Sequence, residues 1–263
     1  MKQFYKKIRA EFSRWLYDYI ANTLGDREMM SFNFGVDYPS LKPPLRYKDE
    51  ALRLNMYQLL AKKLIKAHAK LKNNDILEAG CGRGLGAKYI VQNFSPKSYV
   101  GIDISGNSLK VAKKANSVDG FIKFIEGDVH KLPFSDNSFG LVINVESSHW
   151  YKDFSLFLSE VNRVLKKDGY FGFVDFRDKT QMPKLVEDMK KNGLQIVLDE
   201  NITKYVLKAL PKEEDQKRMI IEKRAHPLLK PFFIRFAGLE GTGMRSKFQS
   251  GEAQYWLFIL RRQ

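Results

Sequence analysis

The chain has 263 residues, of which 44% are hydrophobic and 13% aromatic, a composition that indicates a globular protein and excludes a disordered one. Lysine and arginine total 45 against 30 aspartate and glutamate, so the formal net charge of +15 favours an anionic partner or, equally, a simply soluble surface. The one cysteine, Cys81, excludes an intrachain disulfide, and no secretion signal or membrane-spanning stretch is recognisable, so we expect a cytoplasmic protein.

The N-terminal part predicts helices around one irregular loop. Residues 1–24 have the period of an amphipathic helix. Its apolar positions are Phe4, Ile8, Phe12, Trp15, Leu16, Tyr19 and Ile20, with Lys2, Lys6, Lys7, Arg9 and Arg14 among or beside them. We expect this helix to pack on the domain, with docking on a membrane surface as the alternative. Residues 30–48, which contain Pro43–Pro44, predict a loop, and residues 49–72 return to helical periodicity.

The centre of the chain alternates strand and helix patterns. Short apolar segments at 76–79, 99–103, 121–126, 141–145 and 170–176 predict strands, and the stretches 84–93, 107–116 and 153–166 between them predict helices. Such alternation predicts an α/β fold, in which a doubly wound, mostly parallel sheet carries helices on both faces.

The last third of the chain is predicted less sharply. Residues 182–193 predict a helix, 195–200 a strand, 203–226 a basic helical region and 228–250 a loop-rich stretch. Residues 254–260 predict a final strand, and closing strands of this kind often lie antiparallel at the edge of the sheet.

A glycine-rich turn follows the first strand, from Gly80 through Cys81 and Gly82 to Gly84. Glycines permit a tight strand-to-helix turn and let a ligand approach the backbone closely. The turn alone does not identify the ligand, because the register from Gly82 to Ala87 also matches a dinucleotide fingerprint.

Acidic side chains end the next two strands. Asp103 can accept hydrogen bonds from both ribose hydroxyls, as acids do in NAD sites too. Asp128 ends the third strand, where a carboxylate can accept from an exocyclic adenine amine. Because parallel strands end at one edge of the sheet, we expect these tips to form a single ligand site.

Taken together, these motifs resemble the class I S-adenosylmethionine (SAM)-dependent methyltransferases over roughly residues 70–178. The resemblance rests on the glycine turn, Asp103, the Gly127–Asp128 step, the run Leu132–Phe134 and the segment Leu165–Tyr170. Two positions depart from that pattern, since Gly140 replaces the usual acid and Glu78 stands where many members carry aspartate. The resemblance implies a Rossmann-like fold, SAM as cofactor and no metal. The cofactor-binding residues that it implies are Glu78, Gly80, Cys81, Gly82, Gly84, Asp103, Ile104, Asp128, Val129 and Asn144.

Three further segments, 33–44, 142–151 and 229–238, resemble the phthiotriol and phenolphthiotriol dimycocerosate methyltransferases. Those bacterial enzymes O-methylate a hydroxyl on a long-chain polyketide lipid, so the resemblance implies a lipid-like or polyketide-like acceptor. It also divides the chain into an N-terminal helical cap and lid (1–69), a SAM-binding core (70–178) and a C-terminal part with a basic helical insertion and the closing strand (179–263).

Two candidate catalytic residues follow the fourth strand, Glu146 and His149. An aliphatic alcohol is a poor nucleophile, and a general base typically accelerates such a transfer by about 10²–10⁴-fold. His149 is the better candidate because imidazole titrates near neutral pH. Glu146 could orient His149, contact the acceptor hydroxyl or act as the base itself.

Substrate contacts are expected from two aromatic segments. Trp150 and Tyr151 could wall the acceptor pocket, and the loop containing Asn33 and Tyr38 is a candidate lid, with plain core packing as the alternative. Cys81 fits the turn as a small residue, and for Arg83 a solvated charge is favoured over contact with the SAM carboxylate. His68, His130 and His226 show no metal-ligand spacing and predict surface or packing roles.

Other functions stay open at this point. The basic segment 203–235 predicts a solvated helix face, with a mouth for an anionic lipid and an RNA surface as alternatives. Nucleic acid is not favoured, because neither an RNA-binding module nor an Asn-Pro-Pro-Tyr type of amine-methylating motif is present. The remaining alternatives are a C-methyltransferase on a sterol-like or terpenoid-like substrate, a protein methyltransferase and a non-catalytic SAM- or NAD-binding protein.

Overall fold

The computed structural model describes residues 33–41 and 50–263 throughout and, between residues 11 and 23, Glu11, Phe12, Trp15, Leu16, Asp18, Tyr19, Ile20, Asn22 and Thr23. The expectations for Lys2, Phe4, Lys6, Lys7, Ile8, Arg9, Arg14 and Pro43–Pro44 lie outside the described residues. Those described between 11 and 23 are helical, as the periodicity predicts.

The described chain forms a seven-stranded sheet with the order β3-β2-β1-β4-β5-β7-β6. The strands are β1 (Asp75–Ala79), β2 (Ser98–Asp103), β3 (Ile122–Glu126), β4 (Phe139–Val145), β5 (Leu165–Asp178), β6 (Leu194–Asn201) and β7 (Ala253–Arg262). The first five pair in parallel, and β7 is antiparallel to both of its neighbours. The predicted doubly wound sheet is confirmed; the closing strand is antiparallel and lies one position inside the edge, which β6 forms.

Helices cover both faces of this sheet. They are α1 (Ala51–Lys66), α2 (Leu85–Phe94), α3 (Gly106–Asn116), α4 (Phe154–Val164), α5 (Met182–Lys191), α6 (Thr203–Arg224), α7 (Lys230–Phe236) and α8 (Gly243–Ser250). Side chains cap two of them, since Ser105 accepts from the N–H of Ser108 and Asp153 from that of Leu156. None of the helices in the described residues is long and apolar enough to cross a bilayer.

The apolar side chains alternate between two cores, one on each face of the sheet. On β1, Ile76 packs into the core that contains Leu60 of α1, whereas Leu77 packs into the core that contains Phe157 and Val161 of α4. This alternation is the period of a strand buried on both faces, and it leaves the strand tips as the place where polar side chains converge.

The expectation of a loop-rich stretch at 228–250 is wrong, because this stretch contains the short helices α7 and α8. Pro231 lies in the first turn of α7. Backbone N–H groups in a first turn have no partner within the helix, so a residue without an N–H is tolerated there. Gly238 and Gly241 lie between the two helices and not inside them, and buried Phe233 and Phe248 anchor the pair.

The described part of the N-terminal helix packs on this C-terminal region. Leu16 and Ile20 are buried and share an apolar cluster with Ile220 and Ile221 of α6 and Phe233 of α7. Packing on the domain, the first of the two expectations for this helix, is confirmed for these residues.

Candidate active site

Polar side chains converge at the carboxyl ends of β1, β2, β3 and β4, in a space that we call the strand-tip cavity. Of the residues predicted to bind a cofactor or substrate, its wall contains Asn33, Gly80, Cys81, Gly82, Asp103, Ile104, Asp128, Val129, Glu146, Trp150 and Tyr151. The edge of the sheet therefore collects these residues as the parallel order requires.

The glycine turn and Asp103 form one hydrogen-bonded unit. Asp103 Oδ2 accepts from the N–H of Gly82 at 2.8 Å, and Oδ1 accepts from the N–H of Ser105 at 2.9 Å. Gly80 adopts φ of 74°, and a Cβ there would lie 2.3 Å from Ser147 Oγ, so only glycine fits. Burial raises the pKa of Asp103.

Glu78 lies beneath the cavity and not in its wall. It is fully buried, and its two oxygens accept from the hydroxyls of Tyr57 at 2.7 Å and Tyr99 at 2.8 Å. Burial raises its pKa to about 7. Tyr57 itself lines the cavity, and it fits because Gly86 has no side chain: a Cβ there would lie 2.0 Å from the Tyr57 ring.

Two more of the predicted cofactor residues support the cavity from behind. Gly84 immediately precedes α2. Asn144 is fully buried, and its amide donates to the carbonyl of Ala79 at 2.8 Å and to the hydroxyls of Ser147 and Tyr151 at 2.8 and 2.9 Å. Neither residue belongs to the wall, so their contribution is the shape of the turn.

Asp128 is already engaged by neighbouring side chains. Its Oδ1 accepts from the backbone N–H of His130 at 2.9 Å and lies 2.5 Å from the ring Nδ1, while Lys152 Nζ is 3.3 Å from Oδ2. Burial alone would raise the pKa of Asp128, but these hydrogen bonds and charges outweigh it and lower that pKa. His130 is a packing residue, as expected, and it also lines the cavity.

The expectation of a solvated Arg83 is wrong. Its side chain belongs to the cavity wall, and the residue is only 3% exposed, because the turn directs it inward and not toward solvent. His68 and His226 are exposed, as predicted.

A second space, which we call the side cavity, adjoins the first. Its free volume is about 280 Å³, and its wall consists of Asn33, Phe34, Glu146, His149, Phe176, Phe232, Arg235, Phe236, Gly243, Met244 and Lys247. Asn33 and Glu146 belong to the walls of both cavities, so the two spaces meet at these side chains.

His149 forms a pair with Asp175, a residue that the sequence patterns do not single out. The ring Nδ1 lies 2.8 Å from Asp175 Oδ1, and Oδ2 accepts from the backbone N–H of His149 at 2.9 Å. Arg177 Nη1 lies 3.2 Å from Oδ2 of the same carboxylate, and the ring centroids of Phe176 and His149 are 4.4 Å apart. Burial would raise the pKa of Asp175, yet His149 and Arg177 hold it well below its usual range.

Glu146 does not orient His149, which was one of its three expected roles. Its Oε2 accepts from the N–H of Phe34 at 2.7 Å and from the hydroxyl of Tyr255 at 2.5 Å. The residue follows β4 in the left-handed region, with φ of 49°, a strained conformation of the kind that collects at functional sites. Burial raises the pKa of Glu146 to about 8.

The residues expected to contact the acceptor lie in different places, and Asn33 alone of them lines both cavities. Trp150 and Tyr151 line the strand-tip cavity and not the side cavity, because the short 3₁₀ helix Ser148–Trp150 turns them back over the first strand tips. Tyr38 lies in neither wall: it donates to Glu200 Oε1 at 3.0 Å and packs on the ring of Tyr205 at 4.4 Å. Phe176, Phe232 and Phe236 supply the aromatic wall of the side cavity instead.

Residues 77–173 match the family model described as a methyltransferase domain. A geranyl diphosphate C-methyltransferase from Streptomyces coelicolor A3(2), solved with S-adenosyl-L-homocysteine, has the same fold: the TM-score is 0.61 at 16% identity, covering 88% of this chain and 91% of that one. With the sheet order and the strand-tip cavity, these findings define the class of the protein, a SAM-dependent methyltransferase.

Two curated relatives cover nearly the whole chain. The phthiotriol/phenolphthiotriol dimycocerosates methyltransferase of Mycobacterium tuberculosis is 32% identical over 253 residues, 93% of this chain and 90% of the relative. The fatty-acid O-methyltransferase of Mycolicibacterium smegmatis is 31% identical over 254 residues, 96% of this chain and 91% of the relative. The chain belongs to the phthiotriol/phenolphthiotriol dimycocerosates methyltransferase family.

Proposed function

We propose that this methyltransferase transfers the methyl group of SAM to an oxygen of a lipid-like or polyketide-like acceptor that binds in the side cavity. The observation that carries the proposal is the junction at Asn33 and Glu146, where the side cavity meets the strand-tip cavity and His149 with its carboxylate partner stands in the wall. The names of the relatives, which refer to a lipid alcohol and to fatty acids, support an oxygen acceptor on a lipid.

The residues of the strand-tip cavity fit SAM. Asp103 would accept from the ribose hydroxyls, the glycine turn would hold the methionine part against its backbone, and Asp128 and Val129 would hold the adenine. A Cβ on Gly82 would meet nothing within 4 Å, so the backbone of the turn is open to such a contact there. SAM supplies an electrophilic methyl group when it is bound, so the protein's remaining task is to position and deprotonate the acceptor.

We assign the general base to His149. Because Nδ1 faces Asp175, the acceptor proton moves to Nε2, and Asp175 fixes the ring orientation and stabilises the imidazolium that forms. Burial raises the pKa of Glu146 to about 8, and its Oε2 already accepts from Phe34 and Tyr255, so we give Glu146 the role of contacting the acceptor hydroxyl at the junction of the two cavities.

We further propose a cytoplasmic protein that contacts an anionic membrane at its periphery. The support is the net charge of +15 together with two exposed apolar side chains, Trp15 at 48% and Leu228 at 84%. In the basic segment 203–235, Lys217 is buried, while Lys208 and Lys212 are more than half exposed and pair with Asp37. The exposed apolar side chains favour a lipid surface over RNA.

The test is a transfer assay with SAM labelled in its methyl group, in which bacterial lipid extract and total RNA are offered in parallel. We expect label in the lipid fraction, bound through oxygen when the product is analysed by NMR. The Asp103→Asn variant is the control, since it weakens the cofactor site and should abolish the labelling. Label in RNA alone, or on carbon, contradicts the proposal.

A further inference from the structure

A third space, which we call the apolar cleft, lies between the N-terminal helix and α6 and α7. Its wall consists of Tyr19, Ile20, Thr23, Ile220, Ile221, Arg224, Ala225, Phe233, Phe236 and Ala237. The surface facing the cleft is hydrocarbon throughout, and none of the site residues described above, Phe236 excepted, takes part in it. The apolar atoms that line this cleft lack dispersion contacts on their open side, and an apolar ligand would supply them.

The apolar cleft adjoins the side cavity across α7. Phe232 and Arg235 of this helix face the side cavity, Phe233 faces the cleft, and Phe236 belongs to the walls of both. The Phe236 ring is therefore the partition between the two spaces. It stacks on Phe232 with ring centroids 6.1 Å apart and contacts Trp150 at 6.5 Å.

The polarity of the two adjoining spaces differs on the two sides of Phe236. The side cavity begins at Glu146 and His149, which can bind and deprotonate an oxygen, and continues between aromatic rings to Phe236. Beyond Phe236 only hydrocarbon is presented. An occupant that satisfies both ends has an oxygen at one end and an unbranched or lightly branched hydrocarbon chain at the other.

We infer that the apolar cleft binds the hydrocarbon tail of the acceptor whose oxygen lies beside His149. The inference rests on the proposed function, because it takes the side cavity as the acceptor site. It goes further by assigning Ile221, Ala225, Phe236 and Ala237 as the residues that set the chain length of the acceptor.

The experiment measures the binding of saturated fatty acids of about eight to sixteen carbons by calorimetry, to protein saturated with S-adenosylhomocysteine. In the wild-type protein we expect affinity to rise by about fourfold for each methylene that enters the cleft, the usual gain for burying one such group. Two variants fill the cleft, Ala225→Phe and Ala237→Phe. Both should bind the shortest acids like the wild type and lose at least about tenfold in affinity for the longest, which have several methylenes beyond the partition.

The matched control is Leu228→Phe, which adds the same ring at a position 84% exposed to solvent and should retain the wild-type dependence on chain length. Affinity for S-adenosylhomocysteine reports whether each variant is folded. A chain-length dependence that is flat in the wild type, or unchanged in both cleft variants, overturns the inference. Failure of the proposed function gives a different result, since methyl transfer to lipid is then absent in the wild type whatever the tail binding shows.

Discussion

Asp175 lies on β5 and His149 lies in the short helix that follows β4, so their pairing depends on the register between the two strands. Val145, the last residue of β4, pairs with Val174 of β5, so the residue after Val174 lies beside the short helix that carries His149. The resulting pair places a carboxylate behind an imidazole, the arrangement in which a histidine is held in one tautomer and one orientation.

We expect His149→Gln to lower kcat by at least about 10²-fold, because the general base is lost, while affinity for S-adenosylhomocysteine stays within about twofold. Asp175→Asn should lower kcat less and change its pH profile, because Asp175 acts through the imidazole. The double variant should be no slower than His149→Gln alone. Stopped or continuous methyl-transfer assays across a range of pH measure kcat for the three variants. If the double variant lost as much in log kcat as the two single variants together, Asp175 would act independently of His149.

Glu146 provides a prediction about stability. Its pKa is about 8 in the folded protein against 4.5 for an ordinary glutamate, so between these values unfolding releases a proton. This contribution to stability is fully present below about pH 4.5 and is lost as pH rises to about 8. The free energy of unfolding should therefore fall less steeply with pH in Glu146→Gln than in the wild type. The two slopes should differ by at most about 1.4 kcal/mol per pH unit.

Urea unfolding curves taken at intervals from about pH 5 to 8 measure this slope. Glu252→Gln, at an exposed position, is the control and should leave the slope unchanged. Parallel curves for Glu146→Gln and the wild type would show that folding does not raise the pKa of Glu146.

Among the elements, α6 holds the loop 33–41 over the site through a buried carboxylate. Glu213 Oε2 accepts from the N–H of Gly35 at 3.1 Å and lies 3.2 Å from Lys217 Nζ, while Oε1 lies 3.2 Å from Arg53 of α1. All three charged side chains are at most 4% exposed. The loop that brings Asn33 to the junction is thus fixed from two helices at once.

Glu213→Gln should lower the free energy of unfolding by about 3 kcal/mol, since it removes the carboxylate that pairs with buried Lys217, while Arg53 keeps its pair with Glu50. Glu222→Gln, on the same helix at a side chain 55% exposed, should change it by less than about 0.5 kcal/mol. Denaturant midpoints measure both. Equal effects from the two substitutions would mean that the buried charges do not stabilise the loop.

The elements that the sequence predicts well are those with a local signal. The strands carry their own apolar runs, and parallel order brings Gly82 and Asp103 to one edge whatever the details of packing. Asp175 and Tyr57 carry no such signal, because one depends on the register between β4 and β5 and the other resembles any buried aromatic residue of a helix. The helices α7 and α8 are short and flanked by glycine and proline, so their local pattern is that of a loop.

For the molecule as a whole, exposed apolar side chains collect on the side that carries the N-terminal helix. Trp15 packs on Phe12, which contacts Phe232 of α7, and the N–H of His226, two residues before Leu228, donates to the Tyr19 hydroxyl at 3.1 Å. Exposed apolar side chains on a protein with a net charge of +15 are a combination that favours the interface of an anionic bilayer. The apolar cleft lies on the same side, so a tail bound there would be close to such a bilayer.

We therefore expect the protein to sediment with vesicles that contain anionic lipid and not with neutral vesicles. Binding should weaken markedly between about 0.1 M and 1 M salt, because the Debye length falls from about 10 Å to about 3 Å over this range. Trp15→Ser with Leu228→Ser should reduce binding at constant charge, while Ile65→Ser, at a position 52% exposed on α1, serves as the apolar control. Equal binding to neutral vesicles would assign the interaction to apolar contact alone, and the excess of positive charge would then serve solubility and not the approach to a membrane.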